Sequence, residues 1–101
     1  MKAPRSPASQ TVGLRVRELR DKHTMSRKVL ADRADLDVTH VARIENGHGN
    51  PTLFALIQLA TVLEVSPTTL IKGLTAADLP ENIKPYSEAD FRRELRRREG
   101  A

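Results

Sequence analysis

Residues 37–47, DVTHVARIENG, form a short segment whose two ends carry the signals of a helix start and a helix stop. Asp37 is suited to the N-cap because its carboxylate can accept hydrogen bonds from the free amides of a first helical turn. Gly47 is suited to the stop because glycine takes the left-handed conformation without the steric penalty of a Cβ. Val41 and Ile44 lie three residues apart and are predicted to share one buried face. The sequence therefore predicts a short helix whose other side chains are exposed.

The remaining side chains of this segment suit contact with another molecule. The predicted exposed face carries a methyl-bearing side chain, a hydroxyl, an imidazole and a guanidinium, contributed by Val38, Thr39, His40 and Arg43. Arginine pairs with guanine and apolar side chains touch the thymine methyl, so this mixture fits the edges of DNA bases. Two alternatives stay open. His40 can be a solvated surface residue, and Arg43 can contact a phosphate or form an intramolecular ion pair.

Positive charge is concentrated in the half of the chain that contains this segment. Residues 1–50 carry 10 basic and 6 acidic residues, residues 51–86 carry 2 and 3, and residues 87–101 carry 5 and 4. The net charge of the whole chain is +4. A basic half favours a polyanionic partner, chiefly nucleic acid, although a mildly basic domain that is simply soluble has the same charge.

The composition is that of one small domain with an appendage. The 101 residues are 39% apolar, which is enough for one small core. There is no cysteine, so neither a disulfide framework nor a cysteine metal site is expected. No apolar run approaches the roughly 18 residues of a membrane span, and no signal peptide is visible. We therefore expect a cytoplasmic protein that does not contact the membrane.

Four more helices are predicted beside this segment. Each begins at a residue that can cap a helix, and each contains apolar residues at helical spacing. They are helix 1 from about Gln10 to Lys22 with Ser9 or Thr11 as its cap, helix 2 from Ser26 to Ala34, helix 4 from Thr52 to about Glu64, and helix 5 from Ser66 to Gly73. The core stripe of helix 4 is predicted to contain Leu53, Leu56, Leu59, Ala60 and Leu63.

Segments of different character flank these helices. Residues 1–9 are rich in proline and serine and contain almost no core-forming side chains, so we predict a flexible N-terminal arm. Residues 74–101 are predicted to contain a linker and then an extra C-terminal helix, with Ser87 as its cap. The expected organisation is an arm, a helical domain over residues 10–73, and a linker with one more helix.

Two short helices joined by a tight turn, over residues 26–34 and 37–46, are typical of a helix-turn-helix. The chain resembles the lambda-repressor-like helix-turn-helix regulators of the Cro/C1, or xenobiotic-response-element, type. The resemblance covers about residues 10–73 and lies in VGLRVRELR at 12–20, MS at 25–26, LA at 30–31, RIENG at 43–47, NPTL at 50–53 and LEVS at 63–66. It implies an all-α, five-helix DNA-binding domain with the helix at 37–46 in the major groove of double-stranded DNA.

The resemblance also implies roles for individual residues. Val38, Thr39, His40 and Arg43 would contact bases, with a good bidentate arginine–guanine contact worth roughly 1–3 kcal/mol of discrimination. The amides of Asn46, Gly47 and His48 match phosphate contacts of the family. Arg27 and Lys28 lie in the first turn of helix 2, where the helix dipole disfavours positive charge unless an anion binds there. A tolerated pair of surface cations is the alternative for these two.

A buried ion pair between Arg20 and Glu45 is implied in the same way, and it would fix the recognition helix on helix 1. Two residues depart from the family's pattern. Arg27 stands where the family usually has glutamine, so it can contact phosphate but has no acceptor with which to support a recognition side chain. Asp35 stands in place of the glycine of the turn and tolerates the left-handed conformation less well.

Helices 4 and 5 contain more apolar residues than their predicted core stripes need, and this excess predicts an interface with another protein chain. Phe54, Ile57 and Ile71 occupy positions where the family often has polar residues, and exposed apolar patches usually mark interaction sites. We expect a homodimer, because symmetric dimers match operators made of two half-sites. The rival expectation is that residues 74–101 fold back and cover these three side chains.

Catalysis is not expected, because the sequence offers no nucleophile with a matching histidine and acid, no metal spacing and no phosphate-binding glycine loop. No cofactor, metal or small-molecule inducer site is predicted. The function that the resemblance implies is sequence-specific DNA binding by a dimeric transcriptional regulator, a repressor or autoregulator. The alternatives are a restriction–modification controller protein, and an antitoxin that neutralises a protein partner through its C-terminal segment.

Overall fold

The computed structural model describes residues 3–100, and every regular element in that range is helical. Met1 and Lys2, at the start of the predicted arm, and Ala101 lie outside the described residues. The elements are α1 Pro7–Lys22, α2 Arg27–Ala34, α3 Val38–Glu45, α4 Leu53–Val62, α5 Pro67–Ile71, a 3-10 turn Ala76–Asp78, and α6 Glu88–Glu99. The predicted all-α class and the extra C-terminal helix are therefore confirmed.

Helix α1 begins at Pro7 and not at the predicted Gln10. Its N-cap is Ser6, whose hydroxyl accepts a hydrogen bond from the amide of Ser9 at 3.0 Å. Proline suits the first helical position because its missing amide hydrogen would have no helical partner there. Ser6 is itself buried, so residues 6–9 belong to a packed helix and were wrongly assigned to a flexible arm.

The turn between α2 and α3 depends on a residue in the left-handed conformation. Asp35 has φ 58° and ψ 43°, a region that glycine occupies at less cost. Gln58 on α4 holds this turn, because its side-chain amide donates to the carbonyls of Ala34 at 2.9 Å and Asp35 at 3.3 Å. The relative position of α2 and α3 therefore depends on α4 as well as on the turn itself.

The ends of α3 match the predicted signals only in part. Gly47 takes the predicted left-handed conformation, with φ 78°, one residue after the C-cap Asn46. Asp37 occupies the N-cap position, but its carboxylate makes no capping hydrogen bond. Because Asp37 is exposed, water can solvate both this carboxylate and the first amides of α3. The predicted capping by the Asp37 side chain is therefore wrong.

One core joins helices α1 to α5. Helix α1 packs on α3 and α5, α2 packs on α3 and α4, and α4 packs on α5, so α3 is held between α1 and α2. The largest fully buried side chains are Leu30, Ile44, Leu59, Leu63, Leu70, Val16 and Val41. Leu53 was predicted to join this core but is 66% exposed, whereas Ala55, two residues later in the same turn of α4, is buried.

Helix α4 is shorter than predicted. It ends at Val62, because Glu64 takes a left-handed φ of 58° and the amide of Val65 turns back to the carbonyl of Ala60 at 3.0 Å. Helix α5 ends at Ile71, two residues before Gly73, which has φ 79°.

The C-terminal segment contains two capped elements that do not add to the core. Thr75 and Asp78 form a reciprocal capping box around the 3-10 turn. Ser87 caps α6 as predicted, accepting a hydrogen bond from the amide of Asp90 at 2.9 Å. None of the residues of α6 is buried, and the described chain is elongated, measuring 61 × 31 × 20 Å.

Candidate nucleic-acid interface

Helix α3 has one buried face and one exposed face. Val41 and Ile44 are buried in the core, as their spacing predicted. The four candidate base-contacting residues lie off that face, and they are the exposed Val38, Thr39 and Arg43 and the partly buried His40. The structure thus brings these four side chains together on one helix, while their contact with DNA bases stays a prediction.

A buried carboxylate anchors the C-terminal end of α3. Glu45 accepts two hydrogen bonds from Arg20 on α1, from Nε to Oε2 at 2.6 Å and from Nη2 to Oε1 at 2.9 Å. Burial by itself would raise the pKa of Glu45, but the hydrogen bonds from Arg20 and Arg27 outweigh it and lower the pKa below its ordinary value. The bond to Glu45 also raises the pKa of Arg20. Both groups therefore stay charged, and α3 is fixed to α1.

Two further arginines surround the same carboxylate, an arrangement that was not predicted from the sequence. Arg27, the first residue of α2, donates from Nε to Oε1 of Glu45 at 2.9 Å and from Nη2 to Oδ1 of Asn46 at 3.3 Å. Arg17 places its Nε 3.7 Å from the same Oε1. Arg17 lies three residues before Arg20 on α1, and this helical spacing was the signal that could have placed it on the same face.

The backbone amides after α3, which are predicted to contact phosphates, are hydrogen-bonded within the protein. The amides of Asn46, Gly47 and His48 donate to carbonyls of the last turn of α3, each at 3.0 Å. These bonds close the helix end, so the three amides have partners within the protein. The contact of Asn46, Gly47 and His48 with DNA phosphates stays a prediction.

Lys28 is exposed at the start of α2 and forms a surface ion pair with Asp32 at 3.3 Å. Such a pair is held weakly, because both partners remain largely solvated. Lys28 is thus free to exchange this partner for a phosphate, and its phosphate contact stays a prediction.

The N-terminal part of the chain packs against the turn after α3. The amide of Arg5 donates to the carbonyl of Gly47 at 2.8 Å. Within α1, a Cβ on Gly13 would lie only 2.2 Å from the carbonyl oxygen of Ile44 and 2.8 Å from that of Glu45. A glycine is therefore required where α1 crosses the end of α3, and this close approach is what allows Arg20 to reach Glu45.

An apolar patch lies on α4 and α5. Phe54 is 75% exposed, and Ile57 and Ile71 are each 44% exposed. The C-terminal segment does not cover them, so the rival expectation of a tail folded over these residues is wrong. The apolar stripe of that segment is too thin to hold it there.

Residues 3–100 were searched for a group of side chains that could bind a metal ion and for a helix that could cross a membrane. Within residues 3–100, no three histidine, cysteine, aspartate or glutamate side chains are grouped so that they could hold a metal ion. None of the helices in that range combines the length and the apolar character needed to cross a membrane.

The arrangement of α2 and α3 defines the class of protein. Because Glu45 is bonded to both α1 and α2, the exposed face of α3 has a fixed position relative to α2. Helix-turn-helix proteins hold their recognition helix in this way, with its exposed face free to enter the major groove. The fold and this helix define a helix-turn-helix DNA-binding protein.

A comparison with protein families makes the assignment more specific. The helix-turn-helix family model of the Cro/C1 type matches residues 16–70, more than half of the chain. The chain belongs to this family of DNA-binding transcriptional regulators, which is not a class of enzymes. The predicted resemblance is thereby confirmed.

Solved structures agree with the family. The restriction-modification controller protein C.AhdI from Aeromonas hydrophila is 35% identical over 61% of this chain and 94% of that chain, with a TM-score of 0.60. The N-terminal DNA-binding domain of SinR from Bacillus subtilis is 28% identical over 62% and 93%, with a TM-score of 0.61. The P22 c2 repressor, solved in complex with a synthetic operator, is 26% identical over 64% and 98%, with a TM-score of 0.60. A comparison with curated protein sequences gave no match.

Proposed function

We propose that this regulator binds a specific sequence of double-stranded DNA as a homodimer, with α3 in the major groove, and represses transcription, including that of its own gene. The observation that carries the proposal is the exposed face of α3, with Val38, Thr39 and Arg43, on a helix fixed at its end by Glu45. The similarity to a repressor solved with its operator supports the repressor role.

Arg43 is the residue that most directly supports sequence-specific binding. It is exposed on α3, one helical turn after Thr39. A guanidinium in this position can donate two parallel hydrogen bonds to the O6 and N7 atoms of guanine. Val38, at the first position of α3, is suited to a thymine methyl. We therefore expect the bound sequence to contain a guanine opposite Arg43.

The apolar patch of Phe54, Ile57 and Ile71 supports the homodimer. Large exposed apolar side chains that lie near one another often mark protein–protein interfaces, and a two-fold axis through the patch would pair it with the same patch of a second copy. Two α3 helices related by such an axis would meet two half-sites about one helical turn apart on the DNA.

Selection of bound sequences from a random duplex pool tests the proposal. The wild-type protein is expected to enrich a two-fold symmetric motif, and Arg43→Ala is expected to lose the preference for one base pair in each half-site. Arg92→Ala is the matched control, because it removes the same group from α6, where Arg92 pairs with Glu88 at 2.9 Å. Failure to enrich any duplex at low salt, or enrichment of an unchanged motif by Arg43→Ala, would contradict the proposal.

A second candidate is a controller protein of a restriction–modification system. The supporting observation is the 35% identity to C.AhdI, which is described as such a controller and 94% of whose chain is covered. Both candidates predict the same binding to DNA and differ in the regulated gene. Mapping the bound site in the genome separates them, because a controller is expected to bind beside the genes of a restriction–modification system.

A further inference from the structure

We propose that Gln58 is a positioning residue for base recognition, because it holds the turn between α2 and α3 and thereby fixes the N-terminal end of α3. Gln58 lies on α4, outside the two helices of the helix-turn-helix. The inference rests on the proposed function, since it concerns the residues with which α3 would read the bases. It assigns separate anchors to the two ends of α3, with Gln58 at the N-terminal end and Glu45 at the C-terminal end.

The turn that Gln58 contacts contains a residue in a costly conformation. Asp35 has φ 58°, in the left-handed region where the Cβ of an L residue crowds the following carbonyl oxygen. The amide of Leu36 donates back to the carbonyl of Ala31 at 2.9 Å and closes the end of α2. The carbonyls of Ala34 and Asp35 lie beyond this closure, where the helix has no further amides to offer them. The turn therefore combines a strained residue with two acceptors that α2 itself cannot satisfy.

The side-chain amide of Gln58 supplies both of these hydrogen bonds. Its Nε2 donates to the carbonyl of Ala34 at 2.9 Å and to that of Asp35 at 3.3 Å. A carboxamide nitrogen carries two hydrogens, so one group can serve both acceptors. Gln58 is partly buried, and α4 packs directly on α2. The left-handed turn is therefore held from α4.

A shift of this turn would act first on the beginning of α3. Val38 and Thr39 follow Asp35 by three and four residues, and both are exposed on the face that we propose meets the bases. Arg43 lies two residues before Glu45, whose carboxylate is bonded to α1 and α2. If the turn moves, α3 tilts about this anchored end. Val38 and Thr39 are then displaced more than Arg43.

The end of α4 has a similar arrangement at a distance from the proposed DNA-contacting face. Glu64 has a left-handed φ of 58°, and Nε2 of His23 lies 3.0 Å from the carbonyl oxygen of Leu63, the preceding residue. A carbonyl oxygen only accepts, so His23 is the donor. In both places, a side chain from elsewhere in the chain bonds the carbonyl before a left-handed residue that is not glycine. Only the bond from Gln58 adjoins α3, so His23 provides a matched comparison.

Selection of bound sequences from a random duplex pool, run below the melting temperature of each variant, tests the proposal. Gln58→Met keeps the length of the side chain and removes the donor. We expect it to lower the preference for the base pairs read by Val38 and Thr39 by about fivefold, the equivalent of one net hydrogen bond. The preference of Arg43 is expected to stay at its wild-type value. Alanine variants of these three residues identify which base pair each of them reads.

His23→Leu is the control, because it removes the corresponding hydrogen bond at the end of α4. Both Gln58→Met and His23→Leu are expected to lower the melting temperature, but His23→Leu should keep the whole wild-type motif. An unchanged motif in Gln58→Met would overturn the proposal. A loss that falls equally on every base pair, including that of Arg43, would do the same, because it would indicate a structural role alone.

Two further variants test the physical cause. Gln58→Lys keeps a side chain that can donate to both carbonyls, so it should keep the wild-type motif. Asp35→Gly removes the Cβ that makes the left-handed turn costly, so adding it to Gln58→Met should restore most of the lost preference. A motif in Gln58→Lys as degraded as that of Gln58→Met would overturn the role of the donor. If the wild-type protein enriches no duplex at all, the proposed function itself fails, which is a different result.

Discussion

The Nε atom of Arg27, at the first residue of α2, donates to Oε1 of the buried Glu45, at the last residue of α3, across 2.9 Å. This bond joins the two helices of the helix-turn-helix at their outer ends, while the turn at Asp35 joins them at their inner ends. The position of α3 relative to α2 is therefore set at two points, and only one of them is the turn.

Replacing Arg20, which binds both oxygens of Glu45, is expected to destabilise the protein more than replacing Arg27. Arg20→Ala should cost about 3 kcal/mol or more, because it removes both bonds of a largely buried partner and leaves the carboxylate under-compensated. Arg27→Ala should cost about 1 kcal/mol, because Arg20 still binds both oxygens and Arg27 is partly solvated. Urea unfolding of both variants measures the difference. Equal losses would show that Arg20 is not the main partner of Glu45.

The lowered pKa of Glu45 predicts a loss of stability in acid. A carboxyl whose pKa is lower in the folded state than in the unfolded state stabilises the fold at any pH above its unfolded-state pKa, which is ordinarily near 4.5. That contribution is lost as the pH falls from this value through the lower, folded pKa. At neutral pH, the free energy of unfolding of the wild-type protein should therefore exceed that of the Glu45→Gln variant by a constant amount. The difference should shrink below about pH 4.5, as chemical denaturation at several pH values can show. A difference independent of pH down to strong acid would contradict the ion-pair account.

Gly13→Ala should destabilise the protein although alanine is the better helix former. Helix propensity alone would favour alanine by about 1 kcal/mol in the middle of α1. The new Cβ would lie 2.2 Å from the carbonyl oxygen of Ile44, so α1 and α3 would have to separate. We expect a net loss of about 2 kcal/mol, in the range of overpacked cores, measured by thermal unfolding. Gly73→Ala is the contrasting variant, because its Cβ meets nothing within 4 Å and only the positive φ of 79° opposes it. That strain should cost about 1 kcal/mol.

Phe54→Glu should dissociate the proposed homodimer without unfolding the chain. Phe54 is 75% exposed in the single chain, so its replacement removes little from the core, while a buried, unpaired carboxylate would oppose association. Sedimentation velocity should show the wild-type protein as a dimer and Phe54→Glu as a monomer. Phe91→Glu on α6, where Phe91 is 50% exposed, is the matched control and should remain dimeric. Dissociation by Phe91→Glu alone would move the interface to α6.

The elements that the sequence predicted best are those determined by local signals. Ser26, Thr52, Ser66 and Ser87 each cap the helix that they were predicted to begin. The spacing of Val41 and Ile44 placed both of them in the core. Two predictions failed for different reasons. Helix α1 begins earlier than expected because Ser6 caps it and Pro7 suits its first position, a local signal that was missed. Leu53 is exposed while Ala55, in the same turn, is buried, because the packing of α4 decides which of its faces meets the core.

The sequence by itself determined most of the helices and the family, because capping, periodicity and recognisable motifs are properties of neighbouring residues. The pairing of Arg20 with Glu45 was implied by the family resemblance, and the structure contains it. Only the tertiary structure showed that Arg17 and Arg27 surround the same carboxylate, and that Gln58 holds the turn. It also showed that the amides after α3 are already bonded. The physical reason is that hydrogen bonds between helices depend on where packing places each side chain.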